Sequence, residues 1–237
     1  MNLLNIQNLT VENEGKLILR KINLKINKGE TVALFGPNAS GKSTLAQTIL
    51  GNPRYKIIEG KILFEGKDIT KLAPEKRVKL GLALAWQNPP TIKGVKLSQL
   101  CSRLNASFSE NYGNIKEVKS LLEREVNVDF SGGEKKISEL VQIINLNPKL
   151  VIFDEIDSGL DIKKITQVSK IIKEGLIKKK CSVILITHQG EILNYLKPTK
   201  AFVLVNGEII CQGKDYREIL KTIKKYGYEQ CKKCKSG

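Results

Sequence analysis

Several features are scarce in this chain of 237 residues, and each absence argues against one class of protein. No apolar run reaches the roughly 20 residues that a membrane-spanning helix needs. The opening stretch, MNLLNIQNLTVENEG, has neither the basic start nor the apolar core of a secretory signal. Its five cysteines are an odd number, which argues against a disulfide framework. We therefore expect a cytosolic protein with no direct membrane insertion.

Acidic residues and aromatic residues are also few. The chain has 24 Asp and Glu against 40 Lys and Arg, for a formal net charge of +16. Such an excess can reflect nucleic acid, lipid headgroups, an acidic partner protein or only a lysine-rich solvated surface. Aromatic residues make up 5% of the chain, and basic blocks such as Lys178-Lys179-Lys180 contain none on which bases could stack. The solvated surface is favoured, and nucleic acid is disfavoured as a partner.

Apolar strand patterns, in contrast, recur along most of the chain. KINLKINKGE places Ile22, Leu24 and Ile26 on one face, with the two-residue period of a half-buried strand. Residues 32–35 are unbroken apolar, as in a strand buried on both faces. Later strand patterns are GKILFEGKDI, LGLALAW, KLVIFDE, CSVILIT and the hairpin AFVLVNGEIICQG. Because helical patterns separate these strands, we predict an α/β fold with a mostly parallel sheet.

A helical pattern interrupts the strands between residues 97 and 127. Its apolar residues recur at steps of three and four: Leu100, Leu104, Val118, Leu121, Leu122 and Val126. A second stripe, Ile137, Leu140, Val141 and Ile144, follows an SGGE segment. We predict a small helical subdomain inserted at about residues 88–148. Residues 226–237 form a basic, cysteine-containing tail that we expect to be mobile.

The segment GPNASGKST matches the phosphate-loop pattern G-x-x-x-x-G-K-[ST] in full. A buried strand precedes it and a helical pattern follows, which is the context that the motif needs. Its glycines let backbone N–H groups turn toward phosphates, Lys42 reaches the outer phosphates, and the Ser43 hydroxyl can ligate magnesium. The predicted phosphate-binding residues are Gly36, Pro37, Asn38, Ala39, Ser40, Gly41, Lys42, Ser43 and Thr44.

Polar side chains end three of the predicted strands. Asp154 could hold a magnesium shell, and Glu155 could position or deprotonate an attacking water. Gln87 could reach the metal or the water. His188, the only histidine, could hydrogen-bond a phosphate in its neutral form, although a lone histidine is more often structural. Each signal is weak alone and gains weight from the phosphate loop.

A second anion-binding pattern lies in DFSGGEKKI, where a serine and two glycines precede a helical run. In order, the phosphate loop, Gln87, SGGE, LVIFDE, SGLD and His188 resemble the ATP-binding-cassette (ABC) ATPases, over about residues 3–213. In that family the SGG signature caps the nucleotide held by a second subunit. The resemblance thus implies ATP and Mg²⁺ as cofactors, ATP hydrolysis and an ATP-dependent head-to-tail homodimer.

The resemblance also implies an ABC ATPase domain over residues 1–225, with a mostly parallel P-loop sheet core, an antiparallel β subdomain and a small inserted α-helical subdomain. Residue roles carry over one at a time. Glu155 is the catalytic carboxylate and His188 the γ-phosphate switch, with Lys42 and Gln87 in the same machinery. Ser43, Gln87 and Asp154 attend the magnesium. The further cofactor-binding residues that the resemblance implies are Ser131, Gly132, Gly133 and Glu134 of the signature and Asp161, which belongs to the loop that communicates across the dimer.

Longer matches resemble one group within the family. VNVDFSGGEKK, DEIDSGLDI and LALAWQNPPTIKGV are similar to SufC, the ATPases of the SUF iron–sulfur cluster assembly system. Phe130 and Glu134 stand where transporter ATPases usually carry leucine and glutamine. This implies a SufB- or SufD-like scaffold protein as partner, touching the segment after Gln87, through Val95. The alternatives are the ATP-binding subunit of a membrane ABC transporter and an ATP-clamped nucleic-acid-binding protein.

The sequence also departs from these patterns. TVENEGKLIL lacks the early aromatic residue on which family members stack adenine, so we expect apolar adenine contacts near Val11. The insert between Gln87 and Ser131 is short for SufC, and this counts against the implied scaffold contact. The tail pair Cys231 and Cys234 supplies two thiolates, which could serve a metal shared by two tails, a redox pair or no defined role.

Overall fold

The structure is a computed structural model that describes residues 2–86, 89–104, 116–187, 190–228 and 231. Within these residues the strands are β1 (Asn2–Asn13), β2 (Lys16–Asn27), β3 (Thr31–Phe35), β4 (Lys56–Phe64), β5 (Lys67–Asp68), β6 (Leu82–Ala85), β7 (Ile92–Lys96), β8 (Glu125–Val126), β9 (Leu150–Asp154), β10 (Ser182–Ile186), β11 (Lys200–Val205) and β12 (Glu208–Gly213). The helices are α1 (Lys42–Leu50), α2 (Pro74–Lys79), α3 (Leu97–Leu104), α4 (Lys116–Leu122), α5 (Gly132–Asn145), α6 (Ile162–Gly175), α7 (Glu191–Leu196) and α8 (Tyr216–Tyr226).

Six strands form the central sheet in the order β12-β11-β3-β10-β9-β6. Its neighbours are parallel except in the β11–β12 hairpin, so the predicted mostly parallel sheet is confirmed. The hairpin turns at Asn206 and Gly207, which have φ angles of 50° and 78°. Positive φ at both positions is what a two-residue type I′ turn requires.

Alternate side chains of the parallel strands enter two separate hydrophobic cores. In β3, Val32 and Leu34 face the core shared with β1, β2, β4 and α1, whereas Ala33 and Phe35 face the core shared with α5, α6 and α7. All five residues of β3 are buried, as expected for a strand covered on both faces. Because both faces are covered, ligands can reach the central strands only at their ends.

A second sheet is antiparallel, in the order β2-β1-β4-β5. Ile22, Leu24 and Ile26 of β2 are buried and alternate with exposed residues, as predicted. This sheet corresponds to the antiparallel β part that the family resemblance implied. It packs over α1, so it covers the helix that starts at the phosphate loop.

The segment between β6 and β9 carries α3, α4 and α5, as the helical spacing predicted, but it also contains an unpredicted strand pair. Val126, expected on a helix, lies in β8 and pairs with Ile92 of β7. A two-residue strand is too short to show a period, so the sequence offered no signal for it. Val118 and Leu121 are buried as expected, whereas Leu104 is 37% exposed.

The end of the chain differs from the expected mobile tail. Tyr228 packs, half-buried, against the core on the α5 side of the sheet, and Cys231 lies in that core at 1% exposure. The expectation of a mobile tail is therefore wrong at these two residues, and Cys234 lies outside the described residues. In the part of the chain that the structure describes, no helix combines the length and apolarity needed to cross a bilayer.

A buried cation binds the C-terminal carbonyl groups of α1. Arg77 of α2 is 2% exposed, and its Nη1 donates to the carbonyl oxygens of Thr48 and Ile49 at 2.9 Å each. Nε and Nη2 donate at 2.9 Å to the carbonyl oxygens of Leu72 and Thr70. Carbonyls at a helix C-terminus carry partial negative charge, which favours a cation there. Burial lowers the pKa of Arg77 to about 10, so the group stays charged at neutral pH.

We expect Arg77→Met to lower the free energy of unfolding by about 3 kcal/mol, because buried carbonyls lose their donors together. Arg77→Lys should recover only part of this loss, since an ammonium cannot reproduce the planar fork of donors. Urea unfolding followed by circular dichroism measures both. The exposed Lys79 in the same helix supplies the control, Lys79→Met, and an equal loss in Arg77→Met and this control would contradict the prediction.

Candidate active site

The turn between β3 and α1 forms a cleft of about 500 Å³. Only glycine fits at position 36, because a Cβ there would lie 2.2 Å from the carbonyl oxygen of Leu204 and 2.7 Å from Ser40 Oγ. Gly41 and Ala39 turn the chain with left-handed φ angles of 104° and 60°. The cleft is lined by Ile18, Asn38, Ala39, Ser40, Gly41, Lys42, Ser43, Thr44 and Glu155.

The donors around this turn fit a phosphate group. The Ser40 hydroxyl oxygen is buried and has no hydrogen-bond partner among the described residues. Gly41 is the N-cap of α1 and offers no side-chain cap, and the first N–H groups of any helix lack intrahelical partners. The Ser43 side chain is exposed at this same helix start. An unpartnered hydroxyl at a helix N-terminus is the setting that binds anions.

Lys42 lies between the phosphate loop and two carboxylates. Its Nζ donates to the carbonyl oxygens of Gly36 at 2.9 Å and Pro37 at 2.8 Å, and the residue is 5% exposed. Burial lowers the pKa of Lys42, while the charges of Glu155 and Asp154 oppose that shift. The ammonium is therefore placed where it can neutralise charge on a phosphate in the cleft.

The two carboxylates at the end of β9 diverge because the backbone turns sharply between them. Asp154 is the last residue of the strand, and Glu155 follows with a φ of 57°, a left-handed conformation that is uncommon for a side chain of its size. The N–H of Glu155 donates to the carbonyl oxygen of Ile186 at 2.9 Å, which holds the turn against β10. As a result Glu155 lines the cleft while Asp154 remains at the strand end.

Magnesium prefers oxygen ligands, and Ser43 and Asp154 supply a hydroxyl and a carboxylate of the kind it takes. Gln87 and His188 lie outside the described residues. Their neighbours Trp86 and Thr187 directly follow β6 and β10, which flank β9 in the sheet. The carboxyl ends of parallel strands meet at one edge of the sheet. Trp86 and Thr187 therefore follow strands that end at the same edge as Glu155.

The SGG signature lies elsewhere, at the start of α5, and does not line the cleft. Ser131 caps this helix: its Oγ accepts the N–H of Glu134 at 3.3 Å, and Oε2 of Glu134 accepts the N–H of Ser131 at 2.7 Å. Glu134 also pairs with Arg124, with 2.8 Å between Oε1 and Nη1, and these contacts lower its pKa. Glu134 is thus committed to its own chain, whereas Ser131 and Gly132 are exposed.

Sequence reasoning missed Lys136, a buried cation of α5 that holds the loop of Glu155. Its Nζ donates to the carbonyl oxygens of Glu155 at 3.0 Å, Ile156 at 2.7 Å and Ser158 at 2.9 Å. Burial lowers the pKa of Lys136, which is 7% exposed. The available signal was a lysine at position 136 and a glutamate at position 139, charges beside an otherwise apolar stripe.

Asp157 is a second missed residue, and it joins the loop after β9 to the loop after β10. Its Oδ2 accepts the Thr187 hydroxyl at 2.7 Å, and Thr187 Oγ1 accepts the N–H of Gly190 at 3.0 Å. Asp157 is 2% exposed, and burial raises its pKa. Because Thr187 directly precedes His188, this bond restrains the start of the segment that carries the histidine.

Two further expectations concern Asp161 and the adenine contacts near Val11. Asp161 is exposed and caps α6, where its Oδ1 accepts the N–H of Lys164 at 2.8 Å. Val11 is 0% exposed and does not itself line the cleft, so adenine contacts near it stay a prediction. Ile18 of the neighbouring strand β2 is the apolar residue that lines the cleft.

Comparison with known proteins finds the same architecture. A family model described as ABC transporter matches residues 19–158. The chain is 43% identical over 249 positions to the "Probable ATP-dependent transporter ycf16" of Antithamnion sp., covering 98% of both chains. It is 40% identical over 229 positions to a "Probable ABC transporter ATP-binding protein" of Streptococcus pyogenes, covering 90% of this chain and 89% of the other. The ADP conformation of an ATP-binding cassette of an ABC transporter superposes with a TM-score of 0.79 at 26% identity, covering 98% of each chain.

Proposed function

The chain belongs to the ABC transporter family of ATPases, and from this premise we propose that it is a SufC-like ATPase of an iron–sulfur cluster assembly system. It is an ATP-hydrolysing cassette that uses ATP with Mg²⁺. In the proposed role, hydrolysis within a head-to-tail dimer drives a conformational change in a SufB- or SufD-type scaffold protein. The proposal includes a cytosolic location.

The separation of two anion-binding elements carries the dimer part of this proposal. The phosphate loop and Glu155 line one cleft, and the signature corner at Ser131 and Gly132 takes no part in it. A Cβ at Gly132 would meet no atom within 4 Å, so this corner has open space in front of it. It begins a 14-residue helix whose N-terminus favours negative charge. The nucleotide of a second copy satisfies both observations.

The residues of the cleft have two roles: some bind the phosphates and the metal, and others activate the attacking water. The loop of residues 36–44 and Lys42 hold the phosphates, and Ser43 and Asp154 would hold magnesium with Gln87. When bound, the metal neutralises charge on the transferred phosphate. Glu155 positions or deprotonates the attacking water, and His188 contacts the γ-phosphate. Lys136 and Asp157 support this arrangement, because Lys136 bonds the carbonyl oxygen of Glu155 and Asp157 bonds Thr187, the residue before His188.

The signature corner supports the SufC-like assignment within the family. Phe130 is 6% exposed and lies under Arg124, whose guanidinium carbon is 4.3 Å from the ring centroid. Arg124 also bonds Glu134 and the carbonyl oxygen of Asp129. The two residues that depart from the usual transporter signature, Phe130 and Glu134, thus share one arginine. This joint use supports treating them as a matched pair rather than as isolated changes.

A second candidate is the ATP-binding subunit of a membrane transporter. It is favoured by the names of two relatives, one an ATP-dependent transporter and the other an ABC transporter ATP-binding protein. ATPase domains of this family dimerise and act with membrane or other subunits, so the fold is compatible with both candidates. The two candidates differ in the partner that the dimer moves.

Purification of the untagged chain from its own cells tests this difference. We expect a soluble SufB- or SufD-like protein to co-purify, with iron in the complex measured by elemental analysis. Cells that lack the chain provide the control for proteins retained by the column alone. Recovery of a membrane permease without any soluble scaffold would contradict the SufC-like role and favour the transporter subunit.

A further inference from the structure

A buried hydrogen bond joins the third turn of α5 to the end of β6. Oε1 of Glu139 accepts the backbone N–H of Trp86 at 2.6 Å, across 53 residues of sequence. Glu139 is 6% exposed, and Trp86 is the residue just before Gln87. Bonds from an N–H to a carboxylate are roughly twice as strong as those between neutral groups. This contact fixes the point at which the chain leaves the central sheet and enters the segment of Gln87.

The carboxylate of Glu139 is not explained by packing. Burial raises the pKa of Glu139 to about 7, whereas the Trp86 N–H and the charge of Lys136 favour its ionised form. A buried acid costs stability that an apolar residue at the same place would not. Glu139 therefore has a specific partner, the Trp86 N–H, and the bond restrains a backbone position at the sheet edge where Glu155 lies.

α5 connects three places that matter for the reaction. Its first residues form the exposed corner at Ser131 and Gly132, Lys136 holds the loop of Glu155, and Glu139 holds Trp86. At about 1.5 Å per residue, Ser131 and Glu139 are only about 12 Å apart along one helix. The helix and one short hydrogen bond therefore form a continuous path from the corner to Trp86.

We propose that Glu139 is a positioning residue that makes Trp86, at the end of β6, follow α5 when the signature corner docks on the nucleotide of a second copy. Each chain then reports the docking of its signature on the partner's ATP to its own cleft. Glu139 would thereby couple the two nucleotide sites of the dimer. The inference rests on the head-to-tail dimer of the proposed function and adds the residue that links its two sites.

The chain offers a direct probe, because Trp86 is its single tryptophan and is 51% exposed. The test uses chains that carry Glu155→Gln, with Mg-ATP as the added ligand. Light scattering measures dimer formation, and tryptophan emission measures the surroundings of Trp86. We expect the emission to change with ATP-dependent dimerisation. Adding Glu139→Ala should leave the dimer but reduce the emission change at least threefold, and Glu139→Gln should restore part of it, since its amide oxygen can accept the same N–H.

The matched control is Glu174→Ala, at an exposed carboxylate on α6 whose side chain is 46% exposed. In the hydrolysis-competent chain, Glu139→Ala should lower kcat at least fivefold while KM for ATP stays within twofold, because the phosphate loop is untouched. If Glu139→Ala does not fold, Glu139→Gln alone provides the test. We expect it to show smaller losses of kcat and of the emission change.

The outcomes separate the two proposals. Failure of the Glu155→Gln chain to dimerise with ATP would overturn the proposed dimer and this inference with it. A dimer that forms without any change in Trp86 emission would overturn the inference alone. The same holds if the Glu139 variants match the Glu174→Ala control in both emission and kcat, or if they raise KM without lowering kcat.

Discussion

Glu155→Gln is expected to lower the rate of Mg-ATP hydrolysis by roughly two to four orders of magnitude while Mg-ATP binding is retained. Glu155 lines the cleft, and its left-handed backbone places it off the strand on which Asp154 remains. Glutamine keeps the size of the side chain but cannot take a proton. Phosphate release measures the rate, and calorimetric titration measures binding. The control is Glu174→Gln, at an exposed position of α6, which should retain the full rate.

The same variant should also accumulate as an ATP-bound dimer, because hydrolysis is the step that loosens the pair. Size-exclusion chromatography with light scattering at saturating Mg-ATP measures this. Slow turnover of the unaltered chain alone would not count against the prediction, since the signature must first meet a second copy. A monomer at saturating ATP would contradict the capping of one copy's nucleotide by the other.

Gly132→Asp is expected to lower hydrolysis at least a hundredfold without destabilising the chain. A Cβ at Gly132 meets nothing within 4 Å, and its backbone is not in the left-handed region. An acid in the first turn of a helix gains about 0.3–1 kcal/mol from the helix dipole, and replacing a helical glycine gains up to about 1 kcal/mol. The free energy of unfolding should therefore stay equal or rise. Only a partner's triphosphate would be repelled by the new carboxylate.

Two controls accompany this prediction. One separates the charge of the new side chain from its bulk, and the other tests whether the signature acts on the nucleotide of the second copy. Gly132→Ala adds bulk without charge and should cost less activity than Gly132→Asp. Mixing Gly132→Asp chains with Lys42→Ala chains, each inactive alone, should recover part of the activity. The mixed dimer contains one composite site in which both the phosphate loop and the signature are intact. Full activity of a folded Gly132→Asp chain would contradict the assignment of this corner to the nucleotide.

The sequence by itself determined the features that depend on neighbouring residues. The period of Ile22, Leu24 and Ile26 specified a half-buried strand, and Asn206-Gly207 specified the hairpin turn. The run GPNASGKST specified a phosphate-binding turn, because glycine positions and a following helix are local properties. The cap formed by Ser131 and Glu134 is also local, since the two residues lie three positions apart, but it was recognised only in the structure.

Only the tertiary structure decided which distant groups meet. Lys136 reaches Glu155 across 19 residues, Thr187 reaches Asp157 across 30, and Trp86 reaches Glu139 across 53. It also placed Ile18 at the cleft and buried Cys231, which the sequence analysis had assigned to a mobile tail. The physical reason is that periodicity and turn preference act between near neighbours in the chain. A buried charge, in contrast, takes whichever partner the packing of separate strands and helices brings within bonding distance.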